Sequence, residues 1–570
     1  MFSRTLALVA APFLLGACAT LPAETTAAPA ARSEGLVSAA DPRAAEAGAE
    51  MLRRGGSATD AAIATMLALT VVEPQSSGIG GGGFFLRSTP DGDIATIDGR
   101  ETAPAAADGE WFLADDGKPR PFMEAVISGL SVGVPGNLRL AEQAHRRFGK
   151  LEWAALFEPA IRLARDGWTL TERGREFLVR SKNRAAHQSE GLALFYGAEG
   201  EALPAGTIIR NPQLANTLGQ LATRGPDWFY TGSNAAAIAG EVAAETPRDG
   251  AMTVADVTAY QAKERRQVCG DYRSYRICGM GPPSSGATTV YAILKQLERF
   301  DLGALGPRST TFWHLFADSQ RLAYADRERY LADADFVSVP VAGLTDPAYL
   351  AARGALISGS AALTTVAPGT PAGVALAPPD GLEPVESGTS HFVAVDGEGN
   401  AVSYTSTIEG SFGSGIMVGG YYLNNELTDF SMTPTGADGR PVANRVEGGK
   451  RPRSSMAPTL VYKDGELVMA VGAAGGSTIP VQVARALIGV IDFGLPLQQA
   501  VALPVLFSPG DAISVEQGST LETMIPRLQA LGHVRVGARG LPLKTNAALR
   551  TPTGWVGAAD PRSEGAVVSE

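Results

Sequence analysis

Hydrophobic and polar positions predict several helices in the first half of the chain. Within residues 42–72, PRAAEAGAEMLRR has helical spacing and stops at a Gly-Gly pair, and ATDAAIATMLALTVV follows with Ser57 as its candidate N-cap. The second apolar run is too short to span a bilayer, so we expect a buried core helix there. The pattern is again mainly helical from residue 134 to residue 265.

Strand patterns dominate the later part of the chain. Residues 353–387 are rich in Ala, Gly, Pro and Thr without a stable period, and a strand-rich block over 388–471 follows them. In this block, GTSHFVAV-DGEGN-AVSYTST predicts a hairpin that places Thr389 across from Thr407 if its loop is symmetric. Two facing hydroxyls fit a nucleophile and its hydrogen-bonding neighbour, although a Thr–Thr pair that only stabilises the sheet is the more ordinary interpretation.

A second hairpin is predicted around the Asp-Gly turn of SSMAPTLVYK-DG-ELVMAVGAAGG. If its pairing continues far enough, Ser454 and Ser455 return to the neighbourhood of Gly475. After Gly475-Gly476, STIPVQVARALIGVI predicts a helix. Free N–H groups at such a helix start can stabilise an oxyanion, and an ordinary Gly-rich turn is the alternative.

Composition and charge narrow the classes of partner. The 570 residues are 45% hydrophobic and 19% charged, which is ordinary for a globular enzyme. The net charge of −11 and the lack of a basic cluster with interleaved aromatic residues argue against nucleic acid.

The N-terminus predicts export and lipid attachment. Arg4 and the apolar run 6–15 form a signal peptide, and Cys18 after Leu-Gly-Ala resembles the bacterial lipobox. We therefore expect a lipoprotein signal peptide over 1–18 and a flexible tether over 19–35. The expected location is the periplasm, with a lipid anchor in the outer membrane as the only membrane contact.

The other two cysteines, Cys269 and Cys278 in VCGDYRSYRIC, face each other if Arg273-Ser274 form a two-residue turn. This register favours a structural disulfide, with two buried free thiols as the alternative. No histidine accompanies the pair, so it does not indicate a zinc site.

The glycines of SGIGGGGFF match a dinucleotide fingerprint only formally, because a helix precedes them and a strand follows. A nucleotide site needs the reverse order. We predict neither an organic cofactor nor a metal.

Several long motifs resemble the gamma-glutamyltranspeptidase family. In the first part of the chain these are GGSATDAAIATMLALTVVEPQSSGIGGGGFF, IDGRETAP, GVPGNLRL and CGDYRSYRICGMGPPSSG. In the later part they are GTSHFVAVDGEGNAVSYTSTIEGSFGSGI, LNNELTDFS, KRPRSSMAPTLV and GAAGGS. The likeness runs in the family's order from residue 36 to the C-terminal region.

The resemblance implies an α+β fold, the four-layer αββα sandwich of the N-terminal-nucleophile hydrolases. It also implies self-cleavage at Gly388–Thr389 into a large subunit, 36–388, whose end 353–387 is a loose precursor segment, and a small catalytic subunit, 389–570. The two would remain together as a heterodimer. Cleavage would free an amine with a reference pKa of about 7.7–8.0, which can serve as the base for the Thr389 hydroxyl.

The resemblance also implies roles for individual residues. Thr389 would be the nucleophile, Thr407 its hydrogen-bonding neighbour, and the amides of Gly475 and Gly476 the oxyanion donors. The remaining residues would bind the zwitterionic glutamyl head: Arg100, Ser454 and Ser455 its carboxylate, and Glu409, Glu426 and Asp429 its ammonium group.

Two departures from the family pattern concern the pocket. Glu409 stands where several members carry Asn, which makes the ammonium site more acidic. The stretch between Asp429 and Ser454 is short and lacks an aromatic residue after Phe430, which predicts a reduced or missing lid and a pocket open to water and longer acyl groups.

The implied activity is cleavage of the γ-glutamyl amide of glutathione and related small molecules, with transfer to water, an amino acid or a peptide. A family-related acylase acting on cephalosporin-type or glutaryl amides is the nearest alternative. Two others are a serine hydrolase built on Ser131 in a G-x-S-x-G match with His533, and a lipid-anchored solute-binding protein.

Overall fold

The computed structural model describes residues 34–374, 376–381 and 388–570, together with Met1. Cys18 and nearly all of the predicted signal peptide and tether lie outside these residues. No helix among the described residues combines the length and the apolar character that crossing a bilayer requires.

Helices precede the hairpin block, as the pattern predicts, and return after it. They are α1 Pro42–Arg53, α2 Ala58–Val72, α3 Phe122–Val126, α4 Asn137–Phe148, α5 Glu158–Asp166, α6 Glu172–Arg180, α7 Lys182–Ala185, α8 Ser189–Phe195, α9 Pro212–Arg224, α10 Asp227–Tyr230, α11 Gly232–Ala244, α12 Val254–Ala259, α13 Gly286–Leu297, α14 Leu302–Leu305, α15 Thr310–Tyr330, α16 Val341–Leu344, α17 Pro347–Gly354, α18 Ile479–Ile491, α19 Leu497–Ala502 and α20 Ile525–Ala530.

The strands come from both ends of the chain and from its centre. They are β1 Leu36–Ala39, β2 Gly82–Ser88, β3 Ile94–Asp98, β4 Trp168–Thr169, β5 Ile208–Ile209, β6 Val268–Tyr272, β7 Tyr275–Gly279, β8 Ser390–Val395, β9 Ala401–Thr407, β10 Met417–Val418, β11 Tyr421–Tyr422, β12 Thr459–Lys463, β13 Glu466–Ala474, β14 Leu506–Phe507, β15 Ala512–Glu516, β16 Arg535–Arg539, β17 Lys544–Thr551, β18 Gly554–Ala559 and β19 Ala566–Ser569.

Two six-stranded sheets form the centre of the molecule. The first has the order β19-β1-β8-β9-β2-β3 and the second β18-β17-β13-β12-β7-β6. They pack face to face through β8 and β9 against β13 and β17. Helices α1 and α2 cover the outer face of the first sheet, and α13 and α18 cover the second. The predicted αββα order is therefore confirmed.

Strand β8 shows why a continuous apolar run folds as a strand here. Phe392 and Ala394 belong to the core beneath α1 and α2, whereas Val393 and Val395 belong to the core that includes the second sheet. Successive side chains of a strand point to opposite faces, and both faces of this sheet are covered. All six residues of β8 are consequently buried.

The helix predictions near the N-terminus are confirmed. Ser57 caps α2 by accepting a hydrogen bond from the Asp60 amide, and the Asp60 side chain accepts one from the Ser57 amide in return. Every residue of α2 is buried, as expected of a core helix.

The first hairpin has the predicted register, with Ser390 opposite Ser406. In the second, pairing shifts by one residue between Val461 and Tyr462, where a bulge interrupts the ladder. The ladder does not continue back to Ser454, since β12 begins only at Thr459.

The short hairpin of β6 and β7 pairs Cys269 with Cys278 as the two-residue turn predicts. The two sulfur atoms are joined in a disulfide. The bridge lies at the edge of the second sheet, where β6 is the last strand.

We predict that Gly81→Ala strongly destabilises the protein. A Cβ at this position would lie 1.9 Å from the Thr407 carbonyl oxygen, so the backbones that carry the site would have to separate. The free energy of unfolding should fall by about 3 kcal/mol or more. Urea denaturation followed by circular dichroism measures this change.

Gly240→Ala is the matched control. Gly240 is exposed in the interior of α11 and nothing lies within 4 Å of its added Cβ. Alanine there should stabilise the helix by up to about 1 kcal/mol. Equal denaturation midpoints for the two variants would contradict the prediction.

Candidate active site

Thr389 immediately precedes β8, and Thr407 ends its partner β9. The hairpin register places their hydroxyl oxygens 3.1 Å apart. Both residues are buried, with 5% and 1% of their surface exposed. The Thr407 hydroxyl also accepts a hydrogen bond of 2.8 Å from the Glu409 amide, which fixes its orientation. The sequence-predicted hydroxyl pair is thus present.

The backbone at Gly388–Thr389 has an uncommon conformation. Thr389 has a φ of 90°, which is rare for a β-branched residue and costs on the order of 1–3 kcal/mol. Gly388 has a φ of 107°, and a Cβ there would lie 1.6 Å from the Glu409 carbonyl oxygen. Only glycine fits before this threonine.

Backbone amides from the second sheet reach this peptide. The Gly475 N–H, just after β13, donates a hydrogen bond of 3.0 Å to the Gly388 carbonyl oxygen. The Thr389 N–H donates one of 3.2 Å to the Ser76 carbonyl oxygen. Gly476 begins a short 3-10 turn that leads into α18. A donor therefore already contacts a carbonyl beside the Thr389 hydroxyl.

A small inner cavity, of about 10 Å³, gathers most of the predicted site residues. Its lining comes from the hairpin of β8 and β9, from the loops after β3, β9 and β11, from the segment before β12 and from the start of α18. It consists of Arg100, Thr389, Thr407, Glu409, Glu426, Asp429, Ser454, Met456, Gly476 and Ile479. One cationic and three acidic side chains thus surround the hydroxyl pair.

Arg100 lies two residues after β3 and is 1% exposed. Its guanidinium donates to Glu426, to Asp429 at 2.5 Å, and to the Arg453 carbonyl oxygen at 2.9 Å. The predicted carboxylate-binding and ammonium-binding residues therefore pair with each other. A zwitterion entering this cavity has an existing ion pair to replace.

A buried carboxyl group that the sequence analysis missed, Glu101, lies behind Arg100 and is 0% exposed. Burial raises its pKa to about 7. Burial also raises the pKa of Glu426 well above its usual value; Arg100 opposes this effect, and Glu101 and Glu409 reinforce it. The acidic cluster therefore carries less negative charge near neutral pH than its composition suggests.

The two predicted serines have different surroundings. The backbone of Ser454 pairs with that of Ser284 in an isolated parallel β-bridge, and Ser454 lines the inner cavity. The Ser455 hydroxyl instead accepts a hydrogen bond of 2.6 Å from Arg327 on α15, and Ser455 is absent from the cavity lining. Arg327 was not predicted, and a cation in a buried helix was its only signal in the sequence.

Asn425 is a further residue that the sequence analysis did not single out, although it stands in the quoted LNNELTDFS motif. Its side-chain nitrogen Nδ2 donates to the Glu409 carboxylate, and its side-chain oxygen Oδ1 accepts from the Gly410 backbone N–H at 2.8 Å. It thereby holds the loop that follows Thr407.

The short segment expected to give a reduced lid forms no helix or named strand over residues 430–453. Thr435 and Pro441 pair in one isolated bridge. The Asn444 side chain donates to the Asp429 carbonyl oxygen at 2.8 Å, which ties the segment to the acidic wall of the cavity.

A second, outer cavity opens on the other side of Thr389. Gly388, Thr389, Gly475 and Ser76 form one of its walls. Its other walls carry charged side chains, namely Arg173, Glu176, Arg180, Lys544 and Arg562. Thr389 thus stands between two cavities of different character.

One group among the described residues has the ligand types for a metal: His314, Asp318 and His533, which are all buried. The two imidazoles hydrogen-bond to each other at 2.8 Å, and Asp318 accepts from Arg321 at 3.0 Å. None of the three lines the inner or outer cavity.

The serine-hydrolase alternative has no matching geometry. The Ser131 hydroxyl is buried and donates to the carbonyl oxygens of Val126 and Ser128. His533 contacts His314 instead.

Known proteins share this architecture. The family model described as gamma-glutamyltranspeptidase matches residues 44–569. The glutathione hydrolase proenzyme of Escherichia coli strain K12 is 36% identical over 552 residues, covering 94% of this chain and 91% of that protein.

Solved structures agree. Cephalosporin acylase from Bacillus halodurans superposes with a TM-score of 0.82 at 26% identity, covering 97% of this chain and 99% of that one. Helicobacter pylori gamma-glutamyltranspeptidase gives 0.56 at 35% identity, covering 59% of this chain and 95% of that one. The resemblance in the sequence motifs is confirmed, and the chain belongs to the gamma-glutamyltranspeptidase family.

Proposed function

We propose that this protein is a self-processing γ-glutamyl hydrolase and transferase whose nucleophile is Thr389, with glutathione as a donor. The observation that carries the proposal is the position of the Thr389 hydroxyl. It lies 3.1 Å from the Thr407 hydroxyl, beside a carbonyl held by the Gly475 amide, at the end of a cavity with one arginine and three carboxyl groups.

Maturation uses the same donors as catalysis. The Thr389 hydroxyl attacks the Gly388 carbonyl carbon, and the Gly475 N–H stabilises the charge that develops on the oxygen. The C–N bond breaks and an ester forms on Thr389. Water then hydrolyses the ester, releasing the Gly388 carboxylate and leaving the Thr389 amine free. Relief of the unfavourable φ at Thr389 favours this step.

In the mature enzyme the free amine of Thr389 takes the hydroxyl proton as the oxygen attacks the γ-amide carbonyl. The amides of Gly475 and Gly476 stabilise the oxyanion. The protonated N-terminal amine of Thr389 then gives its proton to the leaving amine, and an acyl-enzyme remains on the Thr389 hydroxyl. Water or an acceptor amine resolves it by the same chemistry.

The inner cavity favours a glutamyl head over a simple dicarboxylic acyl group. Arg100 and Ser454 bind the α-carboxylate, while Glu409, Glu426 and Asp429 bind the α-ammonium. A glutaryl group lacks the ammonium, so its carboxylate would draw Arg100 away from the acidic residues without bringing a cation to replace it, which is unfavourable. This argument favours γ-glutamyl transfer over the acylase alternative.

Processing divides the chain into a large subunit ending at Gly388 and a small subunit over 389–570. Each sheet contains strands of both subunits: β1 lies between β19 and β8 in the first sheet, and β7 pairs with β12 in the second, so the heterodimer stays assembled. We further propose export to the periplasm and lipid attachment at Cys18, on the strength of the N-terminal motif.

Thr389→Ala should abolish both processing and activity, because one residue supplies the attacking oxygen and, after cleavage, the base. Wild-type protein should run as two fragments on a denaturing gel, and the smaller should begin TSHFVAV. The variant should remain one chain, and hydrolysis of γ-glutamyl-p-nitroanilide should fall by about 10³-fold or more.

Thr553→Ala, at an exposed turn, is the control and should process normally. Wild-type protein that is active while Thr389 is still linked to Gly388 would refute the mechanism.

Discrimination between γ-glutamyl-p-nitroanilide and glutaryl-p-nitroanilide tests the ammonium site. Wild-type kcat/KM should favour the glutamyl donor by about 100-fold or more, because only this donor pairs with the buried acids. Asp429→Asn should lower kcat/KM for the glutamyl donor by a larger factor than for the glutaryl donor, because the changed ion pair with Arg100 affects both donors whereas the lost ammonium contact affects only the glutamyl one.

Asp438→Asn is matched in chemistry and lies in the segment that directly follows Asp429, but its side chain is exposed. It should keep the wild-type ratio. Equal rates on the two donors in wild-type enzyme would instead support the acylase alternative.

A further inference from the structure

The outer cavity is the space into which the leaving group must pass. The inner cavity is small and binds the acyl head, and Thr389 lines both. The part of a donor beyond its scissile amide, and any acceptor that replaces it, therefore faces the outer cavity. This assignment rests on the proposed function.

The charged side chains of the outer cavity differ in how they are compensated. Lys544 is buried and pairs with Glu73 at 3.0 Å. Arg562 pairs with Asp560 at 2.6 Å and with Glu516 at 2.8 Å. Both cations are therefore neutralised within the protein.

In the part of the chain that the structure describes, Arg173 and Arg180 form no such close ion pairs, and Arg173 has instead a more distant electrostatic partner in the carboxyl group of Glu564. Both belong to α6 and flank the ring of Phe177, with guanidinium carbons 5.4 and 4.9 Å from its centroid. Within residues 34–374, 376–381 and 388–570, neither forms an ion pair with a carboxylate. Among the described residues that line the outer cavity, Glu176, also on α6, is the only one with an acidic side chain.

Arg173 has an unused hydrogen-bond donor. Its Nη1 donates to the Arg562 carbonyl oxygen at 3.1 Å, whereas its Nε is buried and has no partner among the described residues. Because this nitrogen is shielded, a ligand in the cavity would bind the guanidinium through its terminal nitrogens, and a carboxylate is the acceptor that a guanidinium binds best.

We propose that Arg173, supported by Arg180, forms an anion-binding subsite for the leaving group and the acceptor. The ligand class is a carboxylate on the amine component, as in a peptide with a free C-terminus. Amines without such a carboxylate use the same nucleophile but lack this contact. The subsite selects among γ-glutamyl compounds by their second half, independently of the glutamyl head.

Two chromogenic donors isolate the contact. γ-Glutamyl-4-nitroanilide and γ-glutamyl-3-carboxy-4-nitroanilide share the acyl group and differ by one carboxylate on the leaving group. Arg173→Met should lower kcat/KM for the carboxylated donor by about tenfold or more and leave that for the neutral donor within about twofold. Comparing each donor with itself across variants removes the difference in intrinsic reactivity.

Arg175→Met is the matched control, because Arg175 lies on the same helix, is exposed and does not line the cavity. It should leave both donors unchanged. Arg180→Met, at another exposed position, should give a smaller selective loss, and it keeps the test available if Arg173→Met does not fold. Added KCl should lower the preference of wild-type enzyme for the carboxylated donor.

The acceptor side has a parallel test. Transfer from γ-glutamyl-4-nitroanilide to glycylglycine should exceed transfer to glycylglycinamide in wild-type enzyme, and Arg173→Met should remove the difference. Equal losses on both donors, or no loss on either, would overturn the subsite and leave the proposed function standing. Wild-type enzyme inactive on both donors would overturn the proposed function, and the subsite with it.

Discussion

The site depends on one constraint, the fit of the Gly388–Thr389 peptide between the two sheets. The first sheet sets Thr389 opposite Thr407 through the register of β8 and β9. The second supplies the Gly475 N–H that holds the Gly388 carbonyl. Strands β8 and β9 pack on β13. A change in the distance between the sheets would therefore move the Gly475 amide away from both the Gly388 carbonyl and the Thr389 hydroxyl. Glycine at 388 is required for the same reason, since any Cβ would collide with the loop after β9.

Local patterns in the sequence predict the hairpins and the long helices, because turn chemistry and side-chain periodicity act over a few residues. They do not predict the bulge between Val461 and Tyr462 or the separation of Ser455 from the cavity, since both arise from packing between distant segments. Glu101 was missed because a single carboxyl beside an arginine resembles a surface ion pair. The individual binding roles follow from the family motifs, whereas the hydroxyl pair follows from register alone.

The inner cavity contains its own ion pairs before any ligand enters. Arg100 contacts Glu426 and Asp429, and all three are buried. Removing one partner of such a set leaves an uncompensated buried charge, which is strongly destabilising. A glutamyl head brings one positive and one negative group, so it can exchange with the internal pair without changing the net buried charge. A ligand with only one of these groups cannot, and under the proposed function this difference would be the physical basis of head-group recognition.

The two cavities place opposite electrostatic environments on either side of one hydroxyl. The inner cavity, on the acyl side, has three carboxyl groups and one arginine. Among the described residues of the outer cavity, on the leaving-group side, the charged side chains without a close ion pair are Arg173, Arg180 and Glu176. Between them, the Glu73–Lys544 pair holds the region of Ser76, because Lys544 Nζ lies 3.4 Å from the Ser76 hydroxyl oxygen. The Ser76 carbonyl oxygen in turn accepts the hydrogen bond of the Thr389 N–H. Under the proposed mechanism, the amine produced at this nitrogen would remain beside the same carbonyl, so the acceptor that orients the precursor peptide would also orient the catalytic base.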